Sequence, residues 1–235
     1  MPARERFTRV GALVRAPRQP DRGASHRAAV LFAPNPGCHG AASVGSIAPV
    51  ALSGCVIVSG MPGAGKSTVG EYATRLLPRA ALVKGDDVNV MIRSGAVWFG
   101  AEPKDEAARQ YELCKRNMCA LANNFIDYGF TVFMDTVVQD RATLDQLLAL
   151  LSPRPVRLVI LAPGVEVCRH RNATRHQFEQ FAFDGYEQLD ADMKRDLSDV
   201  AWWFDTAALT PEQTAANVVG EAVERARFLV HNGSA

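Results

Sequence analysis

Residues 60–68 read GMPGAGKST and fit the phosphate-binding pattern G-x-x-x-x-G-K-[ST] at every fixed position. The chemistry of that spacing is specific. Gly60, Gly63 and Gly65 allow backbone conformations that a Cβ forbids, so that successive N–H groups turn inward around a phosphate chain. Met61, Pro62 and Ala64 complete the loop that would bind nucleotide. Lys66 is placed to reach the β- and γ-phosphates, the Ser67 hydroxyl to ligate Mg²⁺, and Thr68 to follow it into a helix.

Three further groups are chemically suggestive. FTVFMD, residues 130–135, is an apolar run ending in Asp135, which resembles a Walker B strand whose carboxylate holds Mg²⁺ or its water. Asp86 and Asp87 close the run AALVKGDD, and phosphoryl transfer to a hydroxyl needs a carboxylate to position that hydroxyl and accept its proton. Asp86 is expected to be that base and Asp87 a first-turn helix residue; an N-cap followed by an acidic first-turn residue fits the same pattern. Arg169, Arg171 and Arg175 are expected just beyond the helix after the fourth strand. Arg171 and Arg175 are four apart and would share a face, from which they would stabilise charge on a transferring phosphoryl group. HQFEQFAFDG, after them, looks irregular and lid-like, and places a lid near residues 172–185.

The elements that must position these residues alternate. Short apolar runs at 55–59, 80–87, 130–135, 156–162 and 200–205 read as strands. Helical patterns occupy 66–77, 88–92, 104–128, 140–151, 164–173, 186–197 and 211–228, the last with Thr210 as its N-cap. The longest carries a broad apolar stripe of Ala108, Tyr111, Leu113, Cys114, Met118, Leu121, Ala122 and Phe125, and Gly129 ends it. Strands separated by helices predict an α/β fold with a parallel sheet covered on both faces. Ligands in such sheets bind outside the carboxyl ends of the strands, which gathers Asp86, Asp87, Asp135 and Asp205 at the edge carrying the glycine loop. For Asp205 a solvated strand end is the expected role. Trp98 and Phe99 lie in a loop between Gly95 and Gly100, where lining an acceptor pocket and packing as local core are equal expectations.

Composition places these elements in one globular domain, residues 51–230. The 235-residue chain is 48% hydrophobic with a net charge of +1, and no charge excess points to nucleic acid or a membrane surface. Five cysteines, Cys38, Cys55, Cys114, Cys119 and Cys168, form no C-x-x-C pair and read as reduced thiols of a cytoplasmic protein. Residues 1–50 are different: the first 35 contain seven arginines, no lysine, and only Glu5 and Asp21 as acids. Disorder is expected there. An organelle transit peptide and a translation start placed too far upstream are the competing explanations. Leu52-Ser53-Gly54-Cys55 imitates a lipoprotein cleavage box, but the charged region before it is too long for a signal peptide.

The order GMPGAGKST, VKGDDV, FTVFMD, CRHRNATR and WFDTAALTPEQT, from about residue 55 to 222, resembles the chloramphenicol phosphotransferase-like group of small P-loop kinases. That group is related in fold to shikimate, gluconate and zeta-toxin kinases. The resemblance implies a three-layer P-loop NTPase fold with a five-stranded sheet of order 2-3-1-4-5. It also implies ATP with Mg²⁺, and γ-phosphoryl transfer to a hydroxyl of a small molecule. It assigns phosphate binding to Gly60, Gly63, Gly65, Lys66, Ser67 and Thr68, the acceptor-side base to Asp86, and lid arginines to Arg171 and Arg175. Two departures bear on the acceptor: Asp135 is followed by Thr136 where chloramphenicol kinases carry a second acid, and the loop at 93–106 is this chain's own. A toxin-type nucleotide-sugar kinase and a nucleotide-dependent switch without an acceptor are the alternative classes.

Overall fold

The computed structural model describes residues 52–151, 153–175 and 183–229. Five strands form one all-parallel sheet: β1 (Cys55–Ser59), β2 (Ala80–Lys84), β3 (Thr131–Asp135), β4 (Val156–Leu161) and β5 (Trp202–Phe204). Their spatial order is β2-β3-β1-β4-β5, the order expected for a P-loop NTPase. The helices are α1 (Lys66–Arg75), α2 (Gly85–Asn89), α3 (Lys104–Asp127), α4 (Arg141–Leu151), α5 (Val165–Ala173), α6 (Tyr186–Leu197) and α7 (Pro211–Arg225).

Central strands are buried on both faces, so β1, β3 and β4 read as continuous apolar runs rather than alternating ones. Alternate residues still serve different layers. Cys55 and Ile57 face a core built with Met118 and Ala122 of α3 and Leu144 and Leu147 of α4. Val56 and Val58 face the other core, with Ala73 of α1 and Val218 and Ala222 of α7. Register puts Ser59, the last residue of β1, beside Ile160, and Val58 beside Asp135, so the strand ends and the glycine loop emerge at one edge.

Several element boundaries differ from expectation. β2 stops at Lys84, and α2 begins at Gly85, three residues earlier than its apolar pattern indicated. The stripe on α3 is displaced: Ala107, Cys114, Met118, Cys119 and Ala122 are buried, together with Lys115, whereas Leu113, Leu121 and Phe125 are exposed. Packing against α2 and α4 selects a narrower face than the count of apolar residues implied. Gly129 ends α3 with φ 79°, as its position suggested. α7 stops at Arg225, and Thr210 caps it in a full capping box with Gln213.

The four cysteines among the described residues, Cys55, Cys114, Cys119 and Cys168, are buried free thiols, and burial raises the pKa of each. No helix among the described residues is long and apolar enough to cross a membrane. Residues 1–50, Cys38 included, lie outside the described residues, as do residues 176–182 of the expected lid.

Candidate active site

The glycine loop joins β1 to α1 through three positive φ angles: 140° at Gly60, 86° at Gly63 and 96° at Gly65. Two of these glycines are also contact points. A Cβ on Gly63 would meet the Cys168 carbonyl oxygen of α5 at 2.2 Å, and one on Gly60 would meet the Leu161 carbonyl oxygen of β4 at 2.6 Å. Gly65 faces open space, with nothing within 4 Å of its Cβ position. The loop is therefore pressed onto β4 and α5 on one side and open on the other.

The open side fits an anion. Among the described helices, α1 alone starts with neither an acidic first-turn residue nor a side-chain cap. Its first helical hydrogen bond runs from Val69 N to Gly65 O, so the N–H groups just before it have no helical acceptor and are left for an anion. Lys66 stands in that first turn, against the helix dipole, unless a negative group lies there too. Its ammonium donates to the carbonyls of Gly60 at 2.9 Å and Met61 at 3.1 Å. Burial lowers its pKa, Asp135 and Asp86 oppose that, and Arg175 adds to it.

The Ser67 hydroxyl donates to Asp135 Oδ2 at 2.5 Å. Two hard oxygen ligands thus sit together at the mouth of the loop, a donor set suited to Mg²⁺ completed by phosphate and water. Burial raises the Asp135 pKa, while Lys66 and the Ser67 hydrogen bond pull it back. Ser59 plays a part that the sequence motif hides: its buried hydroxyl accepts from Val138 N at 2.9 Å, pinning the segment after β3 to the end of β1.

Asp86 and Asp87 both lie in the first turn of α2, not at a strand end, and the N-cap is Lys84. They diverge from there. Asp87 is paired with Lys84 at 3.3 Å, which also reaches Glu71 at 3.5 Å. Asp86 is exposed, makes no ion pair among the described residues, and lies within electrostatic reach of Lys66, Asp135 and Cys114. Asp205, by contrast, accepts from Ala207 N at 2.9 Å in a local turn beyond β5.

The arginines are on and after α5. Arg169, expected beyond the helix, lies within it and bridges Glu166 at 2.7 Å and Glu187 at 2.5 Å, with its guanidinium 5.5 Å from the Tyr186 ring centroid. That triad ties α5 to α6 and removes Arg169 from the cleft. Arg171 stays in the last turn of α5 and its charge reaches Cys168, whereas α5 ends at Ala173 and Arg175 follows in a bend. The shared helical face expected for Arg171 and Arg175 therefore does not form. Arg175 is nonetheless close enough to Lys66 to affect its charge.

Phe99 packs on Tyr111 of α3, ring centroids 4.8 Å apart, and Trp98 and Phe99 help line a hollow that also includes Asn89 at the end of α2.

The fold is similar to solved structures that include a sugar kinase, a tunicamycin resistance protein and an APS kinase. A sugar kinase from Janibacter sp. HTCC2649, unliganded, matches with a TM-score of 0.53 and 16% identity over 74% of this chain and 95% of that one. The tunicamycin resistance protein of Deinococcus radiodurans matches with a TM-score of 0.54 and 16% identity over 75% and 98%. The Mycobacterium tuberculosis APS kinase in complex with AMPPNP and APS matches with a TM-score of 0.54 and 16% identity over 71% and 95%. At such identities the likeness shows the fold. No curated protein matches by sequence. The model of one family, described as AAA domain, matches residues 55–198, more than half of the chain, and the chain belongs to that family.

Proposed function

We propose that the chain is an ATP-dependent phosphotransferase that moves the γ-phosphoryl group of ATP to a hydroxyl of a small molecule, and that it works in the cytoplasm. One observation carries this reading: Asp86, an exposed carboxylate with no ion pair among the described residues, lies within electrostatic reach of both Lys66 and Asp135. A nucleotide-binding switch has no need of a base there. The fold's likeness to a sugar kinase and an APS kinase supports the same class.

The residues divide the work. Residues 60–68 hold the phosphates on backbone N–H groups and the α1 N-terminus, and the Lys66 ammonium balances charge on the β- and γ-phosphates. Ser67 and Asp135 would hold Mg²⁺, which would supply charge neutralisation on the phosphate oxygens. Asp86 accepts the proton of the acceptor hydroxyl as the hydroxyl oxygen bonds to the γ-phosphorus. The bond from that phosphorus to the β–γ bridging oxygen breaks, its electron pair leaves with ADP, and the proton remains on Asp86 until solvent removes it. Arg175 and Arg171 offset charge on the group in transfer.

Incubating the purified chain with Mg²⁺ and γ-labelled ATP against hydroxylated metabolites and antibiotics tests the reading, with chloramphenicol and UDP-N-acetylglucosamine in the panel and Lys66→Ala as control. Label is expected on one compound class and none with Lys66→Ala. Nucleotide binding without transfer to any compound would defeat it in favour of the switch.

A further inference from the structure

One edge of the sheet is β2, and among the described residues no strand lies beyond it. Thr131 N donates to Arg79 O, and backbone groups point to alternate sides along a strand, so Arg79, Ala81 and Val83 turn theirs to β3. Ala80 and Leu82 therefore turn N–H and C=O outward, and Lys84, the N-cap of α2, adds its N–H. Pro78, with no N–H to offer, ends the edge on one side, and α2 ends it on the other.

Beside this edge lies an apolar strip. Leu121, Phe125 and Tyr128 recur at helical spacing on α3, and all three are exposed, Tyr128 at 78%. They stand on the β2 side of the helix. Phe125 meets Phe130 with ring centroids 6.0 Å apart, and Arg79, the residue before β2, covers the Phe130 ring at 4.4 Å. The opposite side of α3 belongs to α4, where Asn123 donates to Leu150 O at 3.0 Å. Charge is divided along the edge. Where β2 begins, Arg79 donates to Tyr128 O at 2.6 Å and Gly129 O at 3.3 Å, and it makes no ion pair among the described residues. Where β2 ends, two carboxylates, Asp87 and Glu71, share one cation, Lys84, at 3.3 and 3.5 Å.

We propose that this edge is a homodimer interface, in which β2 pairs antiparallel with β2 of a second copy and the sheet continues through the dyad. Centred on Leu82, the pairing sets the outward groups of Leu82 against those of its mate, and Ala80 against the partner's Lys84. It also reverses the edge, so Arg79 of each copy comes to the end that carries the partner's Asp87 and Glu71. No like charges are set opposite, because Lys84 meets the partner's Ala80 and Arg79 meets the partner's Gly85. The helices fit the same dyad. α3 packs over β2 and β3, half a strand spacing inside β2, and the dyad lies half a spacing outside it. The two copies of α3 are then antiparallel and about 10 Å apart, the separation of packed helices. Leu121, Phe125 and Tyr128 fill that seam. Any strand could satisfy the backbone groups, but the division of charge along the edge selects a reversed copy of itself.

Sedimentation equilibrium of the full chain over a concentration series, together with amide exchange read by NMR, tests the pairing. Mass is expected to climb from 25.5 kDa toward twice that value. The amides of Ala80, Leu82 and Lys84 are expected to exchange slowly in the dimer and fast on dilution, while those of Ala81 and Val83 stay slow throughout. Asp87→Arg and Arg79→Glu should each weaken dimerisation about tenfold or more, and the double variant should restore it. Arg79 also holds the end of α3, so Ala80→Pro is a second probe: it removes an outward N–H, spares the ladder to β3, and should give a folded monomer. A chain that stays at 25.5 kDa at every concentration would overturn the inference. A dimer whose Ala80, Leu82 and Lys84 amides exchange as fast as on dilution would do the same. So would a dimer that keeps wild-type affinity through both charge reversals and Ala80→Pro, since it must use another face.

Discussion

Replacing Gly63 with alanine separates two costs that a glycine loop conceals. At Gly65, φ is 96° and nothing lies within 4 Å of the Cβ position, so Gly65→Ala carries only the left-handed penalty, roughly 1–2 kcal/mol. At Gly63, φ is 86° and the new methyl group would stand 2.2 Å from the Cys168 carbonyl oxygen and 3.2 Å from its Cα. Those atoms belong to the backbone of α5, so relief requires moving a helix rather than turning a side chain. Overpacking of that kind adds about 1–3 kcal/mol. In a domain of this size 1 kcal/mol moves the melting temperature by roughly 2–4 °C, so Gly63→Ala should melt about 2–12 °C below Gly65→Ala. Thermal unfolding followed by far-ultraviolet circular dichroism, without nucleotide, measures the difference, and urea midpoints check it. Nucleotide affinity should rank the other way for its size, because the Gly65 side is where phosphates would pass. A Gly63→Ala protein as stable as Gly65→Ala would show that α5 does not press on the loop, and would refute this account of why the second glycine is there.

Other perturbations address the chemistry. Asp86→Asn should lower kcat by about 10²-fold or more, the loss expected on removing a general base, whereas Asp87→Asn, whose carboxylate is occupied by Lys84, should leave kcat at the wild-type level; steady-state kinetics with the acceptor found in the labelling screen decides between them. Arg175→Ala should depress kcat more than nucleotide affinity, and equal losses in turnover and equilibrium binding would make it an ATP clamp instead. The α5–α6 tie has a pH signature: the hydrogen bond from Arg169 holds the Glu187 pKa below its ordinary 4.5. A depressed carboxylate contributes stability above its unfolded pKa and loses it as pH falls through the folded value, so Glu187→Gln should lower the melting temperature at pH 7 and make no difference well below pH 4. An equal effect at both values would remove the ion pair as its cause.

What could be read from the chain alone was what local spacing encodes. The glycine loop is contiguous, and β1, β3 and β4 are apolar throughout because both faces are covered, so the loop and these strands followed from neighbouring residues, whereas the strand order rested on the family resemblance. α3 shows where that stops. Leu113, Leu121 and Phe125 satisfy helical periodicity yet are exposed, while Lys115 is buried because Glu112 and Gln146 satisfy its ammonium. Periodicity counts apolar residues and cannot tell which face another helix will cover. Arg169 misled in a similar way. Its type matched a phosphate-clamping role, but Glu187, eighteen positions later and on another helix, captures it. Ser59 was missed for the opposite reason, since a buried serine hydroxyl accepting a backbone N–H leaves no trace in spacing.

The same contrast explains why the donor side of the site is legible and the acceptor side is not. A structural helix start is made to satisfy itself, as α7 does with Thr210, Gln213 and Glu212. α1 does the reverse: it has no cap and no acid, and it places Lys66 where the dipole disfavours a cation. Burial further penalises that ammonium and the Asp135 carboxylate beside it. Such a start is at odds with its own local rules unless an anion arrives, and a break in local rules is visible in a few adjacent letters. The acceptor side breaks no local rule. Asn89, Trp98, Gln110 and Tyr111 are each ordinary where they stand, and they come together only when α3 returns beside α2 and Gln110 fixes the loop between them.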